Sequence, residues 1–365
     1  MHKIAISVGT IAELIKMSPV MRLLEKNGID YTFIHTGQHD FNKDLLIDLE
    51  VKKPDFSVQV FNNAPIRGRI SSITNLTNFF FNTTFKINNY LKKKNISLNM
   101  VHGDTLSTLV CSLATKIMTN TKLAHIEAGL RSFDFFEPFP EEIIRFSVDQ
   151  MCDIAFCPTK KALYNIKNKK NAFVTGNTVI DALIFNLKKH KIKVKDNDYI
   201  IAKIHRVENL NNKFRIKEIY KVLKSMNYKT IFIMFPNTKN VFESLGLLDE
   251  LKKNKNIIIY DFLLYKDFLK LFANCKLIIT DSGGEVEEAT YLKKPVISFR
   301  KKSERLEAEE VGIARRSINS QEILKLVDEI FNHGEIYKKA KKAKCPYGEG
   351  KAAFKIISHI KDIYE

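Results

Sequence analysis

The amino-acid sequence predicts an α/β protein of two domains, each a parallel sheet covered by helices on both faces. Short apolar, β-branched segments alternate with helical patterns from residue 4 onward, which is typical of β-α-β units. The alternation restarts after a basic stretch rich in Asp and Asn over residues 190–198. The chain has 365 residues, more than one hydrophobic core usually supports. We therefore expect two Rossmann-like domains that face each other across a cleft.

The first domain is expected over residues 1–185, the second over 186–350, and a final helix over 351–365 that packs back on the first. In the first domain, strands are predicted at 4–8, 31–36, 100–101, 123–127, 154–157 and 172–175, with helices that include 11–27 and 106–118. In the second, strands are predicted at 199–203, 230–234, 256–260, 277–280 and 295–299. Ligands of open α/β sheets bind at the carboxyl ends of strands, so the residues that follow these strands are the candidates for a site.

Charge and composition exclude several classes of protein. The net charge of +18 attracts anions, but the lysines form scattered, loop-like runs without the aromatic residues of a nucleic-acid motif. No apolar run approaches the roughly 18 residues of a membrane span, and the first residues do not resemble a signal peptide. The five cysteines fit no zinc or redox spacing, so we interpret them as free thiols in a reducing cytoplasm.

A glycine-containing loop follows the strand predicted at 277–280. Ser282, Gly283 and Gly284 stand between this strand and a helical pattern, so backbone N–H groups at the helix N-terminus could approach a diphosphate closely. Glu288 lies one turn further on, where its carboxylate could accept hydrogen bonds from two ribose hydroxyls. The alternative is a tight turn in which Ser282 is only the N-cap.

Three carboxylates lie on loops or helix starts of the first domain. Asp104 follows one strand, Glu127 ends the next, and Glu141 follows Pro140 with Glu142 beside it. Asp104 could be a helix N-cap, and the two glutamates could simply favour a helix N-terminus. Acids gathered at one site could instead split one another's pKa values, as acid–base catalysis at neutral pH requires.

Basic residues follow strands of the second domain. His205 and Arg206 come after the strand at 199–203, and this pair suits an anionic leaving group, although a lone histidine is more often structural. Arg300 and Arg305 follow the strand at 295–299 and could also reach phosphate.

Taken in order along the chain, these segments resemble the UDP-N-acetylglucosamine 2-epimerases. The resemblance runs nearly from end to end and rests on the following motifs: Gly37-Gln38-His39, His102-Gly103-Asp104-Thr105, Glu127-Ala128-Gly129-Leu130-Arg131-Ser132, Pro140-Glu141-Glu142, Thr175-Gly176-Asn177, His205-Arg206-Val207-Glu208-Asn209, Thr280-Asp281-Ser282-Gly283-Gly284 with Glu287-Glu288, Glu304-Arg305 and Pro346-Tyr347-Gly348. Each motif is weak alone, and the ordered set is specific.

The resemblance implies a GT-B fold, a homodimer, no metal or redox cofactor, and a role in cell-surface polysaccharide biosynthesis. It also implies a reaction in which a base removes the C2 proton of the sugar while UDP leaves C1, giving 2-acetamidoglucal. UDP then adds back and a proton returns to the other face of C2, so that UDP-N-acetylglucosamine and UDP-N-acetylmannosamine interconvert.

The resemblance also implies roles for single residues. Asp104, Glu127 and Glu141 match the acid–base carboxylates, and His205 matches the histidine at the leaving phosphate. UDP is expected to contact a second set of residues: Lys16, Arg206, Phe268, Ser282, Gly283, Gly284, Glu288 and Arg305. Among these, Glu288 matches the ribose contact, Phe268 the uracil contact and Lys16 a phosphate-side lysine.

The sequence departs from the family at two positions. Ile11 stands where the family places an active-site arginine, and a lost guanidinium removes a bidentate phosphate partner. Phe235 replaces a histidine that helps many bacterial members bind a second, activating UDP-sugar. We therefore predict that such activation is absent or altered.

Other functions remain as alternatives. A hydrolysing 2-epimerase would release UDP, although Gly103-Asp104-Thr105 favours the non-hydrolysing type. A GT-B glycosyltransferase would bind UDP in the same way but would not need three carboxylates in its first domain. Other acetamido sugars could also be substrates, because pocket selectivity depends on few contacts, and a UDP-sugar-binding protein without activity is the remaining alternative.

Overall fold

The structure is a computed structural model that describes residues 3–58, 69–117, 119–261 and 263–364. By its internal contacts the chain divides into two compact units. The N-terminal unit comprises residues 1–182 and 348–365, and the C-terminal unit comprises residues 183–347. Among the described residues, no helix is long and apolar enough to cross a membrane.

A parallel sheet forms the centre of the N-terminal unit. Its strands are β1 (Ile4–Val8), β2 (Tyr31–His35), β3 (Phe56–Ser57), β4 (Leu98–His102), β5 (Lys122–Ile126), β6 (Ile154–Cys157) and β7 (Ala172–Val174), in the order β3-β2-β1-β4-β5-β6-β7. The helices of this part of the chain are α1 (Ile11–Lys26), α2 (Lys43–Leu49), α3 (Arg69–Lys94), α4 (Leu106–Lys116), α5 (Glu141–Met151), α6 (Lys160–Asn165) and α7 (Thr178–Lys189). Every residue of β1 and β4 is buried, as expected for strands covered on both faces.

The C-terminal unit repeats this architecture. Its strands are β8 (Ile200–Lys203), β9 (Thr230–Ile233), β10 (Ile257–Tyr260), β11 (Leu277–Thr280), β12 (Val296–Ser298) and β13 (Ala314–Arg316), in the parallel order β10-β9-β8-β11-β12-β13. Its helices are α8 (Val207–Leu210), α9 (Lys213–Lys224), α10 (Pro236–Ser244), α11 (Leu247–Lys252), α12 (Tyr265–Phe272), α13 (Gly283–Tyr291), α14 (Leu306–Glu310), α15 (Ser320–Phe331) and α16 (Glu335–Lys342). The last helix, α17 (Ala352–Tyr364), packs against α1 in the N-terminal unit.

The predicted α/β class is confirmed, and every predicted strand is present within a few residues. The sequence did not reveal the short edge strands β3 and β13. The predicted end of α4 at Met118 lies outside the described residues. In each sheet the strand order reverses once, at β1–β4 and at β8–β11. Such switch points are where open α/β sheets bind ligands, and the loops described next follow these strands.

Candidate active site

Asp104 lies in the turn between β4 and α4. Thr105, not Asp104, is the N-cap of α4, because its hydroxyl accepts the Thr108 N–H at 3.2 Å. The alternative of Asp104 as a cap is therefore wrong. Its carboxylate instead forms an ion pair with Arg145 of α5 and remains about one-fifth exposed. Gly103, at φ +73°, gives the chain the left-handed turn that brings Asp104 to this position.

Glu127 follows β5 and is held by two side chains. Its Oε2 accepts from Lys16 Nζ and from Asn177 Nδ2, each at 2.8 Å. Its backbone has φ +71°, a left-handed conformation that costs a non-glycine residue energy and is concentrated at functional sites. Lys16, expected beside a phosphate, is thus placed next to a candidate base.

Glu13, which the sequence analysis did not single out, holds two loops of the N-terminal unit together. Its Oε2 accepts the backbone N–H groups of Gly9 and Thr10 at 2.8 Å, and its Oε1 accepts the Thr108 hydroxyl at 2.9 Å. Burial raises the pKa of Glu13, although these donors oppose the shift. Glu13 therefore connects the start of α1 to the turn that carries Asp104.

Helix α5 presents a buried polar stripe, which we define as Glu142, Arg145 and Asp149. Their spacing of three and four residues places them on one face of the helix. Glu142 accepts the N–H groups of Ser132 at 3.0 Å and Phe133 at 3.2 Å and pairs with Arg145 at 3.2 Å. Glu141, the third predicted carboxylate, is the half-buried first residue of the same helix.

The predicted phosphate loop in the C-terminal unit begins a helix, as expected. Ser282 is the N-cap residue of α13 in an extended conformation, but its side chain makes no capping hydrogen bond. Gly283 and Gly284 form the first turn, whose N–H groups have no acceptor within the helix. A Cβ on Gly283 would lie 2.9 Å from Glu304 Oε1, so a larger residue here would displace the Glu304 carboxylate.

The Arg305 side chain packs against this loop and is not exposed to solvent. Its Nε is 2.6 Å from Glu287 Oε1, its Nη1 is 3.4 Å from Glu304 Oε1, and it is almost completely buried. Arg300, which we also considered for phosphate, pairs with Glu304 at 2.8 Å. In this structure both arginines belong to a charge cluster that packs beside Gly283.

The His205 ring is oriented by Asp281, which had been noted only within the motif at residues 280–284. Its Nδ1 lies 2.9 Å from Asp281 Oδ1, and its side chain is 32% exposed. Asp281 also accepts the Arg206 N–H at 2.8 Å and Asn209 Nδ2 at 2.9 Å. Burial raises the pKa of Asp281, but His205 and Arg206 outweigh it and lower the value to about 2. The Arg206 guanidinium itself lies 3.3 Å from Glu208.

The predicted nucleoside contacts lie near each other in the C-terminal unit. Glu288 is buried on α13 and accepts the Tyr265 hydroxyl at 2.5 Å. Phe268 is buried on α12, and Lys203 Nζ lies 4.5 Å from its ring centroid and 5.0 Å from that of Phe235. Lys203 also pairs with Glu285. Sequence reasoning missed Lys203 and Tyr265, because neither residue type signals a ligand.

Comparison with known proteins gives a consistent result. A family model described as UDP-N-acetylglucosamine 2-epimerase matches residues 21–361. The chain is 34% identical to the UDP-N-acetylglucosamine 2-epimerase of Methanocaldococcus jannaschii, over 97% of this chain and 98% of that one.

Solved structures agree with this family model. The chain resembles the crystal structure of the Methanocaldococcus jannaschii UDP-GlcNAc 2-epimerase in complex with UDP-GlcNAc and UDP, with a TM-score of 0.84, 33% identity and 99% coverage of both chains. It also resembles the Neisseria meningitidis UDP-GlcNAc 2-epimerase bound to UDP-GlcNAc, with a TM-score of 0.86, 28% identity and coverage of 99% and 100%.

Proposed function

The chain belongs to the UDP-N-acetylglucosamine 2-epimerase family, and from this premise we propose how its residues invert C2 of UDP-N-acetylglucosamine. It is an enzyme of the epimerase class with two Rossmann-like domains of the GT-B type. One observation carries the proposal for the site. Asp104 and Glu127 follow the neighbouring strands β4 and β5, and each carboxylate is anchored by a cation.

The first step of the proposed reaction is elimination. A carboxylate among Asp104, Glu127 and Glu141 takes the proton from C2, and the C–H electrons form a double bond between C1 and C2. The bond from C1 to the phosphate oxygen breaks, and its electrons leave with UDP. The C2 proton is only weakly acidic, so stabilising the leaving diphosphate lowers the barrier.

Binding of UDP is assigned to the C-terminal unit. The N–H groups at the start of α13, in Gly283 and Gly284, and the positive end of the helix dipole suit a diphosphate. His205, whose ring contacts Asp281, is proposed to stabilise or protonate the leaving oxygen. Glu288 and Phe268 are proposed for ribose and uracil, and Arg206 remains a candidate phosphate ligand. Arg305 is proposed to support the loop, because its guanidinium pairs with Glu287 and Glu304 inside the unit.

The second step reverses the first on the other face of the sugar. A UDP oxygen adds to C1 of 2-acetamidoglucal, and a protonated carboxyl group gives its proton to C2, which yields UDP-N-acetylmannosamine. Proton transfer on two faces needs two groups, and the N-terminal unit carries three candidates. Lys16 is proposed to hold Glu127 in place before substrate binds.

Incubation of the protein with UDP-N-acetylglucosamine in D₂O, followed by NMR, tests the proposal. Deuterium at C2 of both epimers with UDP retained supports epimerisation. Deuterium at C2 with rapid release of UDP supports the hydrolysing alternative. Absence of deuterium at C2 contradicts both and leaves a transferase or a binding protein.

We further propose a homodimer in the cytoplasm that needs no cofactor. Large apolar side chains before and along α5 are exposed, which is unusual for a surface without a partner: Phe133, Phe135, Phe136, Phe139, Ile143 and Phe146. Light scattering of the purified protein and of Phe136→Ser tests the dimer.

As functional domains we propose residues 1–185 for proton transfer and 186–350 for UDP binding, with 351–365 belonging to the first.

A further inference from the structure

We propose that His125 is a positioning residue that, as a buried imidazolium held by Asp149, fixes the turn carrying Asp104. The inference rests on the proposed function, because there Asp104 exchanges the C2 proton. His125 lies on β5 and Asp149 on α5, and neither side chain has any exposure.

Both ring nitrogens of His125 face oxygen acceptors. Nδ1 is 2.7 Å from Asp149 Oδ1, and Nε2 is 2.8 Å from the Gly103 carbonyl oxygen. A carboxylate and a carbonyl oxygen offer lone pairs only, so each contact requires a hydrogen on the histidine. The imidazole therefore carries both hydrogens and a positive charge.

The surroundings of Asp149 place the shared proton on the histidine. Asp149 Oδ2 accepts from Arg131 Nη1 at 2.6 Å and from the Gly129 N–H at 3.0 Å. The Arg131 guanidinium and the Gly129 N–H both stabilise the ionised form of Asp149, independently of His125. Asp149 is thus an anion between two cations, and it also holds the loop that follows Glu127.

The consequence for Asp104 follows from the peptide next to it. The Gly103 N–H donates to the Ile126 carbonyl at 2.9 Å, and the Gly103 carbonyl accepts from His125. Strand β5 therefore holds both backbone polar groups of Gly103. Asp104 is fixed at its backbone through His125 and at its carboxylate through Arg145, and both anchors depend on the polar stripe of α5.

A metal site at the same place does not fit the contacts. His125, Asp149 and Cys152 have ligand atoms within 4.8 Å of one another. Both nitrogens of His125 are already engaged, however, and Arg131 pairs with Asp149. Burial also raises the pKa of the Cys152 thiol to about 12, whereas a metal requires a thiolate.

The test compares His125→Gln and Asp149→Asn with matched controls in the same unit. His359→Gln removes a ring that stacks on Phe173, and Asp153→Asn removes a carboxylate that pairs with Lys116. We expect kcat for epimerisation to fall about 100-fold in both test variants, because a small displacement of a reacting group has such an effect. UDP affinity should stay within about twofold, because the proposed UDP ligands lie on other loops. Asp149→Asn is the milder change if His125→Gln fails to fold.

A kinetic isotope effect separates positioning from mere stability. With substrate deuterated at C2, the isotope effect on kcat should be larger in both test variants than in the wild type, because proton transfer limits the rate. Rates that match the controls, or rates that fall only with the folded fraction at an unchanged isotope effect, overturn the inference. Absence of C2 exchange in the wild-type protein overturns the proposed function instead. Even in that case, the nitrogen-15 chemical shifts of His125 report whether both ring nitrogens carry a hydrogen. Shifts of a neutral ring would contradict the proposed imidazolium.

Discussion

The two units stabilise their candidate sites by different means. In the N-terminal unit, side chains from α1 and α5 hold Asp104 and Glu127, and the adjoining backbone adopts left-handed conformations. In the C-terminal unit, the predicted phosphate loop is a helix N-terminus packed on the Glu304–Arg305 cluster. Fixed backbone dipoles suffice to bind an anion, whereas a proton-transfer group must be both chemically reactive and placed to a fraction of an ångström. From this difference we predict that substitutions at the candidate site of the N-terminal unit change kcat, and that those at the loop of the C-terminal unit change the affinity for UDP.

The largest effect is expected from Asp104→Asn. General acid–base groups contribute about 10²- to 10⁴-fold, so kcat should fall by roughly a thousandfold or more while the UDP dissociation constant stays within about twofold. NMR detection of deuterium at C2 and calorimetric titration with UDP measure the two quantities. Surviving exchange would show that Asp104 is not the base, and Asp153→Asn is the control.

Asp281→Asn should have the largest effect on stability. The pKa of Asp281 lies at about 2 against a usual 3.8, so its ionised form stabilises the fold by about 2 kcal/mol at neutral pH. The folded-state pKa is the lower one, so this stability is present above pH 4 and is lost as pH falls toward 2. Urea unfolding of wild type and variant at pH 7 and pH 3 should therefore show a difference that shrinks in acid.

Glu13 of the N-terminal unit should show the opposite dependence on pH. Its pKa is raised by burial, so its contribution is fully present below the usual value of 4.5 and declines as pH rises above it. The stability of the wild type relative to Glu13→Gln should decrease with rising pH, whereas that relative to Asp281→Asn should increase. Parallel pH curves for the two variants would contradict this contrast.

A smaller effect, confined to affinity, is expected from Gly283→Ala. The new Cβ would lie 2.9 Å from Glu304 Oε1, so the Glu304 carboxylate that packs on the loop must move. A resulting loss of about 1.4 kcal/mol of binding free energy would weaken UDP binding about tenfold. Gly28→Ala is the control, because Gly28 has φ +67° and open space around it. It should lower stability by about 1–2 kcal/mol without changing UDP affinity. Equal UDP affinities of the two variants would argue against the phosphate loop.

The last prediction is that a second UDP-sugar does not activate the protein. With Phe235 beside His205, at 5.0 Å between ring centroids, we expect a hyperbolic rate curve with UDP-N-acetylmannosamine alone. Added UDP-N-acetylglucosamine should not be required. A complete dependence of the rate on that addition would contradict the prediction.

Local patterns were enough to predict the fold, because strands such as Ile4–Val8 are short, mostly apolar segments, and here a glycine follows at once. They also marked Asp104, Glu127 and residues 282–284 as candidates, and the family resemblance supplied the roles expected of them. The anchors were not predictable, since Arg145 is 41 residues from Asp104 and Lys16 is 111 residues from Glu127. The sequence shows that a charge is present but not which opposite charge packs beside it. The family resemblance predicts that Lys16 and Arg305 contact UDP, and it gave no indication of the glutamates with which both pair in this structure.

Helix α17 makes the N-terminal unit discontinuous along the chain. Asp181 accepts the N–H groups of Ala352 and Ala353 at 3.1 and 2.9 Å, and Ile356, Ile357 and Ile360 are buried. During translation, all of the C-terminal unit is synthesised before this helix. At typical elongation rates, synthesis of the C-terminal unit separates α17 from the rest of the N-terminal unit by on the order of ten seconds. In that interval the C-terminal unit can fold as a whole, whereas the N-terminal unit still exposes the apolar surface that α17 will cover. Such transiently exposed apolar surface favours aggregation, so the N-terminal unit is the more vulnerable of the two during synthesis.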